Sequence, residues 1–399
     1  KPSLDTAKAG AMRFNTDSSQ MEIYDGNQWT GILATLPEQQ TGGTRGLIMG
    51  GIKLNPTRRT EDVEFINIDS TGNAIDFGDL TQSASQGGGV GSRTRAIAGG
   101  GTPSSPGGTN NIDFHEFAST GNFNDFGDFA TTGFARAGIS NQTRGVWLGR
   151  AVAPTTYNEI EYITIASAGD TIDFGDTSEK CYNNSGCSSS TRGVFNLAFV
   201  GGSPVYNNII EYVEIATLGD SKDFGDLTDV NSGWSASVSS STRGFWGGFY
   251  PRGDGTIDVV NIASKGNATL FGGAGSLFTD YAASACSNSI RGIYAGGTNY
   301  PNPGSGYTEL IQYITMSSDG NAIDFGNLSE LSYSGIGVAS QTRGCIVSGL
   351  GGEPDTNYIT TIQDIFFSSG GTANHFGDIT TARRNLSGVS DSHGGLGGY

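Results

Sequence analysis

Ile160-Glu161-Tyr162-Ile163-Thr164-Ile165, followed across a Gly169-Asp170 turn by Thr171-Ile172-Asp173-Phe174-Gly175-Asp176, decides how the rest of the chain is read. The first run alternates apolar and polar residues with β-branched and aromatic side chains, the pattern of a half-buried strand. Gly-Asp suits turn positions that need positive φ, so a second strand follows. The closing Phe-Gly-Asp is not unique. Phe-Gly recurs at Phe77, Phe126, Phe174, Phe224, Phe271, Phe325 and Phe376, and Asp79, Asp128, Asp176, Asp226 and Asp378 follow the glycine in five of the seven copies. A second marker keeps the same beat: Thr-Arg-Gly or a close variant places arginines at Arg45, Arg95, Arg144, Arg192, Arg243, Arg291 and Arg343. Two independent markers in phase, at a period near fifty residues, identify a repeat architecture.

Each repeat divides into four short runs. After Phe-Gly-Asp comes a small-residue stretch such as Ser185-Gly186-Cys187-Ser188, which fits a crowded strand near an axis. The run after Arg-Gly often ends on a double glycine, as at Gly50-Gly51 and Gly296-Gly297. The alternating run is third, and the run ending in Phe-Gly is fourth and outermost. No helical periodicity appears, and no connection has room for a crossover helix. Four antiparallel strands, seven times, predict an all-β chain folded as a seven-bladed β-propeller. The first copy starts at Arg45 with its second strand, while a first-strand segment, Leu386-Ser387-Gly388-Val389-Ser390, is left over at the other end. Residues 383–391 are therefore expected to complete the first blade of a propeller spanning 41–399, which removes the open edge.

In order and spacing the repeat resembles the kelch repeat, with Phe where that family usually has the fourth-strand Trp. Residues 1–35 do not follow it. Gly10-Ala11-Met12-Arg13-Phe14-Asn15-Thr16 and Met21-Glu22-Ile23-Tyr24-Asp25-Gly26-Asn27-Gln28-Trp29 read as a short β-meander. That stretch resembles a small module of bacteriophage tail-fibre, baseplate and head-fibre proteins. The glycine-rich repeats with their two markers are similar to virion proteins of large tailed phages, especially those of marine and cyanobacterial hosts. The resemblance implies a virion structural protein on the particle exterior (a fibre, an appendage or a decoration protein). Arg13, Phe14, Tyr24 and Trp29 are then anchoring candidates, and other virion proteins and host surface glycans are candidate partners. The alternative is a stand-alone carbohydrate- or protein-binding propeller using aromatics such as Trp234, Tyr250 or Tyr300.

The 22 basic against 39 acidic residues give a net charge of −17, which repels phosphate backbones, so no nucleic-acid partner is expected. No run of about 18 apolar residues occurs, so no membrane-inserting helix is expected. The chain begins at Lys1 with no apolar leader, which reads as a processed start or a piece of a longer product. Cys181, Cys187, Cys286 and Cys345 form no Cys-x-x-Cys pair, and three His residues make no zinc-like cluster. Cys187 and Cys286 stand where Val90, Ile139, Val238 and Val338 stand in other copies and read as small core residues. Copper-radical oxidases of the kelch-like class need His and Tyr ligands at the channel mouth. His115 and His375 fall in third and fourth strands and His393 in the tail, so none is expected there. Sialidase-type Asp boxes are missing. The chain is therefore expected to be no enzyme, with neither cofactor nor metal, and the sequence assigns no ligand-binding residue. The seven arginines and the marker aspartates, together with Asp76, Asp125, Asp173, Asp223 and Asp324, are expected to be structural, Arg pairing with carboxylates or backbone carbonyls. On that reading Arg291, whose copy has Leu270 and Gly273 for the two aspartates, should lack a partner.

Overall fold

The computed structural model describes residues 8–15, 20–32, 43–54, 56–103, 107–152, 154–200, 206–231, 235–249, 255–272, 283–298, 306–347, 349–352, 357–394 and 396. They fall into two compact units, Lys1–Gln39 and Gln40–Tyr399. In the first unit, Met12–Asn15, Gln20–Tyr24 and Trp29–Ile32 form a three-stranded antiparallel meander.

The second unit is a seven-bladed β-propeller of four-stranded antiparallel blades, and no helix occurs among its described residues. Blade 4 shows the plan: inner strand Ser185–Ser188, second strand Arg192–Asn196, third strand Asn207–Glu214 and outer strand Lys222–Asn231. Two blades are embellished. In blade 3 the outer strand Ile172–Tyr182 also pairs with Phe199–Val200. In blade 1 short strands Ile52–Lys53 and Arg383–Arg384 extend the sheet. The inner strand of blade 1 is Ser387–Ser390, paired with Arg45–Met49 from the other end of the propeller.

Apolar side chains form seven buried clusters, each made by the facing sides of two adjacent blades. Val90, Ile97 and Phe126 of blade 2, for example, pack on Trp147 and Ile163 of blade 3. The hydrophobic effect thus acts between blades, and among the described residues no cluster is confined to one blade. Both markers serve these joints. Every marker phenylalanine is buried, at 2–5% exposure. In six of the seven blades its glycine makes a β-bulge: in blade 3, Ile160 pairs with Gly175 and Glu161 with Asp173, skipping Phe174. Gly175 has φ +144, and a methyl group there would lie 2.5 Å from the Gly219 carbonyl carbon of the next blade. The glycine of Arg-Gly serves closeness instead. A methyl on Gly244 would come within 2.3 Å of the Cys187 sulfur, and one on Gly344 within 2.6 Å of Cys286. All four cysteines are buried free thiols, and burial pushes Cys187 and Cys286 up to about 12, so they act as small apolar residues.

Candidate functional site

The seven arginines form one ring of contacts. Each begins a second strand, lays its guanidinium beside an aromatic ring and donates from Nη1 to a backbone carbonyl just past the third strand of the next blade. Arg95 reaches Ile165 O at 3.1 Å, Arg144 reaches Ile215 O at 2.7 Å and Arg192 reaches Ile262 O at 2.9 Å. Arg243 reaches Met316 O at 2.9 Å and Arg343 reaches Ile68 O at 3.2 Å. Arg45 and Arg291 make the same bond to Phe117 O and Phe367 O. The stacking partner is usually the third-strand aromatic: Phe65, Phe114, Tyr162, Tyr212 or Tyr313, at 4.4–5.1 Å. In blades 5 and 7, where Val259 and Asp364 take that position, the arginine lies over Phe245 and Phe366. Three arginines also pair with carboxylates, namely Glu214, Asp319 and Asp364, none of them a marker aspartate. Of the two expected partners the backbone carbonyl is the constant one, and the expectation that Arg291 lacks a partner is corrected, because its anchor is the Phe367 carbonyl.

The marker aspartates work at the outer edge. Asp76, Asp125, Asp173, Asp223 and Asp324 are exposed, and three of them accept the N–H of their own bulge glycine: Asp125 from Gly127, Asp173 from Gly175 and Asp324 from Gly326. Asp79, Asp128, Asp176, Asp226 and Asp378 donate backbone N–H groups to the Asn or Asp of the next blade's Gly-Asn or Gly-Asp turn. Burial, then the carboxylates of Asp220 and Asp173, pushes Asp176 above its ordinary value. Carboxylates along an outermost strand oppose edge-to-edge pairing with other sheets.

One repeated joint was not singled out from the sequence. The polar residue inside the alternating third strand is buried and accepts the N–H two residues past Phe-Gly-Asp or just beyond it in the preceding blade: Glu64 from Thr380, Asp113 from Thr81, Glu161 from Ala130, Asp258 from Thr228 and Gln363 from Ser329. Its signal was available, since Ile160-Glu161-Tyr162 and Ile210-Glu211-Tyr212 repeat an acid at a strand-centre position. Nearer the axis, serine hydroxyls join neighbouring inner strands, as in Ser188 to Ser140 O and Ser287 to Ser239 O.

Within these joints lies an axial channel of about 250 Å³, lined by the seven inner strands. His393, Gly394 and Leu396 of the tail line it too. His393 was expected away from the channel, and it lies there because the chain turns inward after Ser390. Burial, with Arg93 nearby, lowers the His393 pKa to about 4, so the ring is neutral at pH 7. His115 and His375 sit in a third and a fourth strand.

The described connections from outer to inner strands, with Ser235 and Ala283, line a polar funnel of about 540 Å³. Each described connection turns through one left-handed residue: Gln86, Ala135, Asn183, Ser334 and Asn385, at φ +53 to +57. Neighbouring turns are linked by backbone bonds, Gln86 N to Asn385 O, Asn183 N to Ala135 O and Asn385 N to Ser334 O. Trp234, Tyr250 and Tyr300 lie outside the described residues.

In the meander, Arg13 holds Glu22 through Nε at 2.7 Å and Nη2 at 2.6 Å, and its guanidinium lies 4.2 Å from the Trp29 ring centroid. Tyr24 is buried with its ring 5.4 Å from that of Trp29. The Phe14 side chain lies outside the described residues. Arg13, Tyr24 and Trp29 are thus one contiguous set.

The fold is similar to that of a solved structure titled "Structure of YjhT", with a TM-score of 0.53 and 10% sequence identity, over 70% of this chain and 94% of that one. At that identity the likeness speaks for the fold. Neither a family model nor a curated protein matches the chain.

Proposed function

We propose that the chain is a non-catalytic virion structural protein of a tailed phage, attached to the particle through its N-terminal meander and displaying the kelch-like propeller on the exterior surface. The supporting observation is in the meander. The residues that carry the resemblance to phage attachment modules are the ones that hold it together: Arg13 bridges Glu22 and Trp29, and Tyr24 packs on Trp29. The motif is therefore a folded module with a physical reason for Arg13, Glu22, Tyr24 and Trp29. The most repeated chemistry of the propeller, its arginines and marker aspartates, is engaged in blade joints and blade edges, which favours a rigid display platform over a catalyst. Deleting residues 1–39 tests this reading. The truncated propeller should fold but fail to enter particles, and incorporation at the level of the full chain would refute the anchoring role.

A second reading, a stand-alone interaction propeller, is favoured by one observation: the funnel on the axis is polar and of a size suited to small ligands.

A further inference from the structure

The geometry points to the funnel as a binding site for a neutral saccharide, read by side chains on the ring of left-handed turns. This inference rests on the funnel alone and needs no virion. The ring carries Gln86, Asn183, Ser334 and Asn385, none of whose side chains makes a hydrogen bond to the described protein. That sets them apart from the polar groups of the blade joints described above, which are engaged between blades. A carboxamide offers one acceptor and two donors and a hydroxyl offers both roles, which matches the vicinal hydroxyls of a sugar.

Three further features favour this ligand class. The volume of about 540 Å³ falls within the range of small-ligand sites, roughly 300–1,000 Å³. Although the chain carries −17, no carboxylate lines the funnel among the described residues. Of its two arginines, Arg136 is buried with its guanidinium donating to Gly133 O and Thr131 O, and Arg384 lies 5.4 Å from the Tyr358 ring. Among the described lining residues the open carboxamides and hydroxyl are uncharged, and Arg384, whose Nε has no hydrogen-bond partner, is the one open cation. Finally, Tyr333 is part of the lining and pairs with the Tyr307 ring at 5.0 Å, which places an aromatic side chain beside the polar groups. A peptide finds little among the described lining residues, which offer few apolar anchors, and the described inner strands are already paired.

The left-handed backbone provides a clean test. Glycine accepts φ near +55° without strain, so Asn183→Gly with Asn385→Gly removes two carboxamides and leaves the turns intact. The full chain should be screened on a printed array of neutral oligosaccharides (glucose-, galactose-, mannose- and N-acetylhexosamine-terminated) beside uronate- and sialate-terminated ones. A neutral probe should bind. The double variant should bind it at least about tenfold more weakly, the loss expected for two hydrogen bonds of ordinary strength. Asn124→Ala on an outer strand should bind like the parent. Hydrogen exchange with the bound probe should slow at the Gln86, Asn183 and Asn385 turns, which keeps the test valid if the double variant folds poorly. A blank array, binding confined to acidic probes, or unchanged affinity and exchange at these turns would overturn the assignment. Absence of the protein from particles would bear on the display reading and not on this one.

Discussion

An arginine that stacks on its own blade and bonds the next couples two blades through a single side chain. The carbonyl it reaches has no partner of equal strength if the arginine is removed, so the loss exceeds that of an exposed ion pair. Arg144 isolates the effect, because the bond to Ile215 O and the stacking on Tyr162 account for its described side-chain contacts. Arg144→Ala should cost about 1–3 kcal/mol in denaturant unfolding. The recurrence of arginine was visible in the sequence, but the choice between carboxylate and carbonyl partners was not. A backbone carbonyl has no residue identity, so spacing alone could not choose it over the marker aspartates.

Asp391 is a second test at this scale. It stands where other blades cap the turn before arginine with Ser92, Asn141, Ser189, Ser240, Asn288 or Ser340, and it accepts N–H bonds from Gly43 and Arg45. Burial raises its pKa to about 6 against those stabilising bonds. A folded pKa above the unfolded one gives stability that is full below about pH 4 and lost as pH rises through 6. Asp391→Asn keeps the cap without the charge. It should therefore be more stable than the parent at pH 7, by up to about 3 kcal/mol, and the gain should vanish towards pH 4. His393 runs the other way, since its lowered pKa removes stability as pH falls from 6.5 to about 4. His393→Gln should become more stable than the parent across that window. Thermal melts of both variants from pH 4 to 8 would check the two opposite slopes.

At the scale of the element, the bulged outer strand is the most constrained piece. Gly175→Ala combines positive φ with a clash against the backbone of the Gly219 turn, so no side-chain movement relieves it. A loss of about 2–4 kcal/mol is expected, visible as an earlier denaturant midpoint. Strand order within a blade was legible because alternation marks the third run and Phe-Gly the fourth. The funnel turns were not, since Gln86, Ala135 and Ser334 lack the glycine signature of a left-handed position. Their conformation follows from the sharp passage between the outer and inner strands.

The whole molecule depends on a ring whose ends meet in one blade. Ser387–Ser390 completes the sheet begun by Arg45–Met49, and Ser390 donates to Ala339 O of the last blade. Deleting residues 386–399 should expose that strand edge, broaden the unfolding transition and favour association on size exclusion. The seven-bladed architecture was legible because two markers kept phase through it. The inward course of the tail was not, because His393 follows the last repeat and no periodicity covers it.

Display on a particle is the central claim. It is tested most directly by mass spectrometry of phage particles purified from a lysate of the host that carries this gene. The full chain is expected among the virion proteins at a stoichiometry fixed from one preparation to the next. Its absence from purified particles, with abundant soluble protein in the same lysate, would contradict the account.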